Sequence, residues 1–150
     1  MDRLQREFHR NLEASLKGRK EPDPVADAIA YKVIGAAIEV HSELGPGFLE
    51  NAYEEALAVE LDARGIRHVR QYPVLVIYKG VTVGEYRLDF MIEDLLVVEL
   101  KAVAEITNIH RAQVRAYLAA TGHELGLVLN FNVARLRDNG IRRVVRTNGF

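Results

Sequence analysis

Apolar residues recur along this chain first at helical spacing and then at the closer spacing of strands. Residues 2–16 set Leu4, Phe8, Leu12 and Leu16 four apart, a narrow stripe with charge on both flanks. That spacing predicts a short helical arm that packs on the rest of the chain or on a partner. Gly18 to Asp23 is a polar linker. Asp23-Pro24 reads as an N-cap followed by Pro at the first helical position. A helix then runs to about Leu44. Val25, Ile29, Val33, Ala36, Val40 and Leu44 form one stripe, and Ile34 and Ile38 widen it, so the helix should be largely buried.

Gly45-Pro46-Gly47 ends that helix and opens another, from about Phe48 to Arg64 with Gly65 as its C-terminal cap. Glu50, Tyr53, Leu57 and Leu61 share a face, so a carboxylate heads an apolar stripe. With Gly47 as N-cap, Glu50 also sits where a capping-box Glu would bond the backbone. Three strands follow. Arg67 to Tyr78 contains Pro73, which suggests an edge or a bulge. Lys79-Gly80 is a turn, and Val81 to Ile92 and Leu95 to Lys101 complete a meander. A helix over roughly Ile106 to Ala120 closes at Gly122. Leu125 to Asn130 and Ile141 to Val145 are two further strands, linked through Asp138-Asn139-Gly140. The order is helix, helix, three strands, helix, strand, strand.

The meander carries charge where a strand should be apolar. Asp89, Glu99 and Lys101 lie within runs of Leu, Phe, Met, Ile and Val. Ionised groups are costly to bury unless they are paired or bind a metal. Glu99 and Lys101, two apart, share a side of one strand. Asp89 joins them only in one register. A two-residue turn at Glu93-Asp94 pairs Asp89 with Val98 and sends Glu99 to the other face. A three-residue loop, Glu93 to Leu95, pairs Asp89 with Glu99. The second is the expectation, with the two carboxylates within about 5 Å, close enough to share a cation, and Lys101 in the same cleft.

Composition narrows the class. The chain has 150 residues, enough for a sizeable core, and no Cys, so neither a disulfide framework nor a thiolate metal site is available. Met1-Asp2-Arg3 lacks the apolar core of a signal peptide and no run is long enough to cross a bilayer, which leads to the expectation of a soluble cytoplasmic protein. The net charge of -1 conceals an asymmetry: residues 25–100 hold 6 Lys/Arg against 13 Asp/Glu, and residues 101–150 hold 8 against 3. A basic surface beside a carboxylate cluster suits a phosphate-rich ligand over a metal site, although ordinary surface charge gives the same counts.

Asp89, nine residues, then Glu99-Leu100-Lys101 resembles the PD-(D/E)xK signature of restriction-endonuclease-like nucleases, with Leu88 in place of the Pro. Gly47-Phe48-Leu49-Glu50-Asn51-Ala52-Tyr53 resembles the motif of the GxxExxY branch, as do Val40-His41 and Leu44-Gly45-Pro46-Gly47 before it. Gln113-Val114-Arg115-Ala116-Tyr117 is similar to the QxxxY element of RecB-like nucleases. The resemblance covers roughly residues 25–146. It implies an α/β fold with a mixed central β-sheet flanked by helices, and a division into an arm and linker, 1–24, and a nuclease-like domain, 25–150.

The resemblance also implies roles. Asp89 and Glu99, with the Leu100 carbonyl and waters, would hold Mg²⁺ or Mn²⁺, and Glu50 would be a further acidic ligand, direct or through water. Lys101 would orient the attacking water and stabilise charge developing on the phosphate. Gln113 would position phosphate or water. Tyr53 and Tyr117 would fix these groups from behind, with His41, Arg111 and Arg115 as further substrate-side residues. The bland rivals are a solvent-reaching Lys101, core tyrosines with satisfied hydroxyls and a His41 that packs or caps. The expected function is Mg²⁺-dependent hydrolysis of nucleic acid, DNA ahead of RNA, by a metal-activated water without a covalent intermediate. The alternative from another class is a nucleic-acid- or protein-binding module or accessory subunit that kept the fold without turnover. No membrane partner is expected. A homo-oligomer or partner protein could dock on the N-terminal helix, which sizing with and without residues 1–24 would reveal.

Overall fold

Helix α1 spans Pro24–Leu44. The computed structural model describes Arg3 and residues 23–146, so the stripe from Leu4 to Leu16 lies outside the described residues. Asp23 caps α1, its Oδ1 accepting the Val25 N–H at 2.7 Å. The buried side is Ala26, Ala30, Val33, Ala36, Ala37 and Val40. The stripe's two ends depart from expectation, because Val25 and Leu44 are exposed. A helix of 21 residues is roughly 30 Å long, whereas the six-residue central strands it covers are about 20 Å, so its ends overhang them.

Helix α2 spans Glu50–Ala63, with Leu49 at the N-cap and no side-chain cap. It starts two residues later than the pattern predicts. Glu50 is therefore the first helical residue and not the third, and the capping-box role for Glu50 is not made.

The strands are β1 His68–Tyr78, β2 Val81–Ile92, β3 Leu96–Lys101, β4 Leu125–Asn130 and β5 Ile141–Val145. Helix α3, Asn108–Thr121, joins β3 to β4. It starts two residues after the predicted Ile106 because Thr107 caps it: Thr107 Oγ1 accepts the His110 N–H, and His110 Nδ1 accepts the Thr107 N–H at 3.0 Å. The sheet order is β1-β2-β3-β4-β5, with β3 and β4 parallel and the other pairs antiparallel. This is the mixed sheet with flanking helices of a restriction-endonuclease-like α/β fold. Pro73 lies on the edge strand β1, the kind of position to which Pro is confined within sheets.

A parallel pair needs a crossover, and here α3 supplies it on the face opposite α1 and α2. Two cores result. Phe90, Ile92, Leu96, Val98, Leu100 and Leu127 pack on the α1–α2 side. Val74, Leu88, Met91, Val97 and Val128 pack on the α3 side with Val114 and Leu118. Strands β3 and β4 are buried on both faces, which explains their unbroken apolar runs. Gly126 admits α3 closely, since a Cβ there would stand 2.6 Å from Val114 Cγ1.

Two irregularities shape the centre. Phe90 pairs with Val98, Met91 with Val97 and Ile92 with Leu96, so the β2–β3 loop is the three-residue Glu93–Leu95. Glu93 and Asp94 take left-handed backbone, φ 52° and 53°. Glu93 is held there by Arg67, whose N–H and guanidinium both bond its carboxylate at 2.9 Å. Secondly, alternation along β2 slips by one between Leu88 and Phe90, because Leu88 and Met91 share the α3-side core while Phe90 faces the other. Opposite the slip, Gln71 of β1 takes φ 51°. Asp89 sits at the slip.

Candidate active site

The β2–β3 ladder ends at Phe90–Val98. Beyond it β2 stays with β1 and β3 stays with β4, so the sheet opens between Asp89 and Glu99. The two carboxylates bridge the opening. Glu99 Oε1 accepts the Asp89 N–H at 2.8 Å, and Asp89 Oδ2 accepts the Leu100 N–H at 2.8 Å. Each acid thus replaces a ladder bond of the other strand. This use leaves Asp89 Oδ1 and Glu99 Oε2 outside the ladder. A strand residue's N–H and C=O lie on one edge. The Leu100 carbonyl therefore points toward β2 and into the same opening.

Lys101 follows on the α3 side. Its Nζ donates to Gln113 Oε1 at 3.3 Å, and Gln113 Nε2 donates to the Tyr117 hydroxyl at 3.2 Å. An ammonium has only donors, so Gln113 must turn its carbonyl to Lys101 and its amide nitrogen to Tyr117. The four-residue spacing of Gln113 and Tyr117 makes that contact possible.

Electrostatics tie these groups together. Glu99, only 5% exposed, is pushed up to about 8, first by burial and then by the Asp89 charge. Asp89 is also raised, first by burial, with the Leu100 N–H opposing. Glu50, at the start of α2, is raised by burial and by Asp89 and lowered by Lys101. Burial raises the Tyr117 phenol, and the Glu99 and Asp89 charges raise it further. Asp89, Glu99, Lys101, Gln113 and Tyr117 therefore share one cleft, with Glu50 on its α2 flank.

Other expected residues lie outside this group. Tyr53 is fully buried, stacked on Phe131 at 4.5 Å. Its hydroxyl donates to the Gly45 carbonyl at 2.6 Å and accepts the Phe48 N–H at 3.2 Å. It braces the loop that delivers Glu50. Tyr53→Phe should remove this brace at a cost of about 1–2 kcal/mol, and calorimetry should show the melting temperature falling by several degrees. His41 packs on Phe131 with Nε2 2.9 Å from the Val133 carbonyl, which is the packing reading. Arg111 and Arg115 stand on α3 two residues to either side of Gln113, and so on another side of the helix from the Gln113 amide.

Two residues join the site without having been anticipated. Glu54, one turn after Glu50 and so on the same helical face, adds to the charge that raises Asp89. Gln71 Nε2 bonds Glu54 Oε1 and reaches Asp89 Oδ1 at 3.4 Å. Arg70 binds Glu54 at 2.8 Å and also Glu55. The i, i+4 spacing of Glu50 and Glu54 was a usable signal. The left-handed Gln71 carried none.

A divalent cation suits this donor set, which is all oxygen and hard. As the side chains stand, no three His, Cys, Asp or Glu among the described residues gather closely enough to hold one. Asp89 and Glu99 face each other across the opening, and the charge of Glu50 is felt by both Asp89 and Glu99.

A family model, the PD-(D/E)XK nuclease superfamily, matches residues 27–144. The chain belongs to that superfamily. No curated protein matches. Among solved structures the chain is similar to one titled "Crystal structure of SSO0001", at 16% identity and a TM-score of 0.47, over 99% of this chain and 80% of that one. No helix among the described residues is long and apolar enough to cross a membrane.

Proposed function

We propose that the protein is a divalent-metal-dependent nuclease, with DNA ahead of RNA as substrate. The observation that carries this reading is the reciprocal bonding of Asp89 and Glu99 at the point where β2 and β3 part. Two acids placed this way repel each other and sit largely buried, an arrangement that a fold needs little for stability but that a cation site requires. Asp89, Glu99 and the Leu100 carbonyl would hold Mg²⁺ or Mn²⁺, with Glu50 completing the set directly or through water. When bound, the cation supplies Lewis-acid stabilisation of the phosphate and a lowered pKa for water. Lys101 orients the attacking water and meets the charge developing on the phosphate. Gln113 steers the ammonium, and Tyr117 fixes the Gln113 amide. Glu50 followed three residues on by Tyr53, with Tyr53 bracing the preceding glycine loop, supports membership of the GxxExxY branch.

A second reading, a nucleic-acid-binding module without turnover, is favoured by the want of three gathered acidic or His side chains among the described residues. One experiment separates them. Single-strand, duplex, flap and junction DNAs and RNA are incubated with Mg²⁺ or Mn²⁺, beside a Glu99→Gln control. Gln keeps the oxygen that accepts the Asp89 N–H but loses the charge. Cleavage by wild type and a loss of at least about 10²-fold in the variant is expected for a lost charge-stabilising group. Binding of substrate with no cleavage by either protein replaces the nuclease reading with the binding module.

A further inference from the structure

The β1–β2 ribbon runs on past β3 and brings Tyr86 to the α3 flank of the cleft. Tyr86 is 52% exposed. Its ring lies over Gly84, where an added Cβ would stand 2.8 Å from Tyr86 Cε2. Glycine leaves room for the ring to lie along the strand, an arrangement that holds an aromatic side chain in place. The ring also meets Tyr117, with centroids 6.4 Å apart and planes tilted by 44°. Tyr117 bonds Gln113 and Gln113 bonds Lys101. Tyr86 is thus three contacts from the lysine beside the carboxylates. The chemistry described above has no use for it.

The two flanks of the cleft differ in charge. The α2 flank carries Glu50, with Glu54 and Glu55 behind it ion-paired to Arg70. Helix α3 has no Asp or Glu and has Lys101 below its Gln113 face, while Arg111 and Arg115, two residues to either side of Gln113, project from the other side of the helix. A phosphate backbone entering the cleft is repelled from Glu50 and drawn toward Lys101, on the side where Tyr86 stands. A duplex brings a second backbone, and the faces of its bases are covered by their neighbours. A single strand brings one backbone and bases with free faces.

We infer that Tyr86 is a stacking platform for an unpaired base beside the scissile phosphate, and that the substrate is single-stranded nucleic acid or an unpaired end or flap. The inference rests on the nuclease reading. Stacking of this kind tolerates any base, so it selects strandedness and not sequence.

Binding of a labelled 15-nucleotide strand and of the matching duplex, with Ca²⁺ in place of Mg²⁺ to hold back cleavage, tests it. Tyr86→Ala should weaken single-strand binding by roughly 5- to 100-fold and duplex binding by less than about 2-fold. Tyr86→Leu, which keeps apolar bulk over Gly84, should behave like Ala, and Tyr86→Trp should bind at least as tightly as wild type. An abasic residue walked along the strand should cost wild type affinity at one position and cost Tyr86→Ala nothing more there. That cycle is insensitive to any general loss of folded protein. Equal weakening of strand and duplex, or an abasic penalty that survives Tyr86→Ala, overturns the stacking role and leaves the nuclease reading standing. A wild type that binds no nucleic acid overturns both.

Discussion

Lys101→Met should cut cleavage by about 10²-fold or more while nucleic-acid binding stays within a few-fold of wild type. The expectation follows from where the ammonium acts. Lys101 meets a water that must lose a proton and a phosphate that gains charge, so most of its effect belongs to the transition state. Its carbon stem is only partly buried, and Met matches it in length without charge. The bond to Gln113 is lost with the ammonium. The decisive comparison is wild type against the variant on one labelled substrate at saturating protein. Equal cleavage would assign the activity to a contaminant or to another site. Neutralising Arg111 or Arg115 should do the reverse if they touch phosphates. Binding should weaken, and its log–log salt slope should flatten by about one.

The candidate site was legible in the sequence wherever spacing alone decides geometry. Glu99 and Lys101 share a face because strands have period two, and Gln113 meets Tyr117 because helices bring residues four apart together. The register of the β2–β3 hairpin was open to two solutions, and the burial of charge among apolar residues chose the three-residue loop that the structure has. Helix starts were off by two residues at Glu50 and Asn108, since caps made by Leu49 backbone and by Thr107 with His110 depend on local geometry more than on pattern. The slip in β2 at Asp89 could not be read, because Phe90, Met91 and Ile92 are all apolar and fit either face. The left-handed Gln71 gave no sign either, as neither Gly nor Asn occupies it. Glu54 was readable, since it stands four residues after Glu50 and shares its helical face, whereas Glu55 does not.

Without divalent cation, the protein should lose stability as pH rises from about 4.5 to about 8, and Mg²⁺ or Mn²⁺ should restore it most at the upper end. Glu99 is raised from 4.5 to about 8, by burial first and by Asp89 second. Asp89 and Glu50 shift in the same direction. Across this window the folded protein keeps a proton that the unfolded chain has already released. The folded state binds more protons, so stability falls as pH climbs; it is greatest below the unfolded pKa and lost through the folded one. The loss should be on the order of a few kcal/mol, read as a melting temperature lower by several degrees at pH 8 than at pH 5. Glu99→Gln should flatten that profile and melt higher than wild type at pH 8, because its amide oxygen can still accept the Asp89 N–H while no charge is buried. A cation binds the ionised acids, and does so better once the proton has gone. At tenfold over its dissociation constant it should contribute about 1.4 kcal/mol, and the rise in melting temperature should be larger at pH 8 than at pH 6. Asp89→Asn, which retains an oxygen for the Leu100 N–H, should abolish the rise. An equal rise in wild type and Asp89→Asn would place the cation elsewhere, and a flat apo profile would mean that Glu99 is ionised throughout and that the two acids do not confront each other across the opening of the sheet.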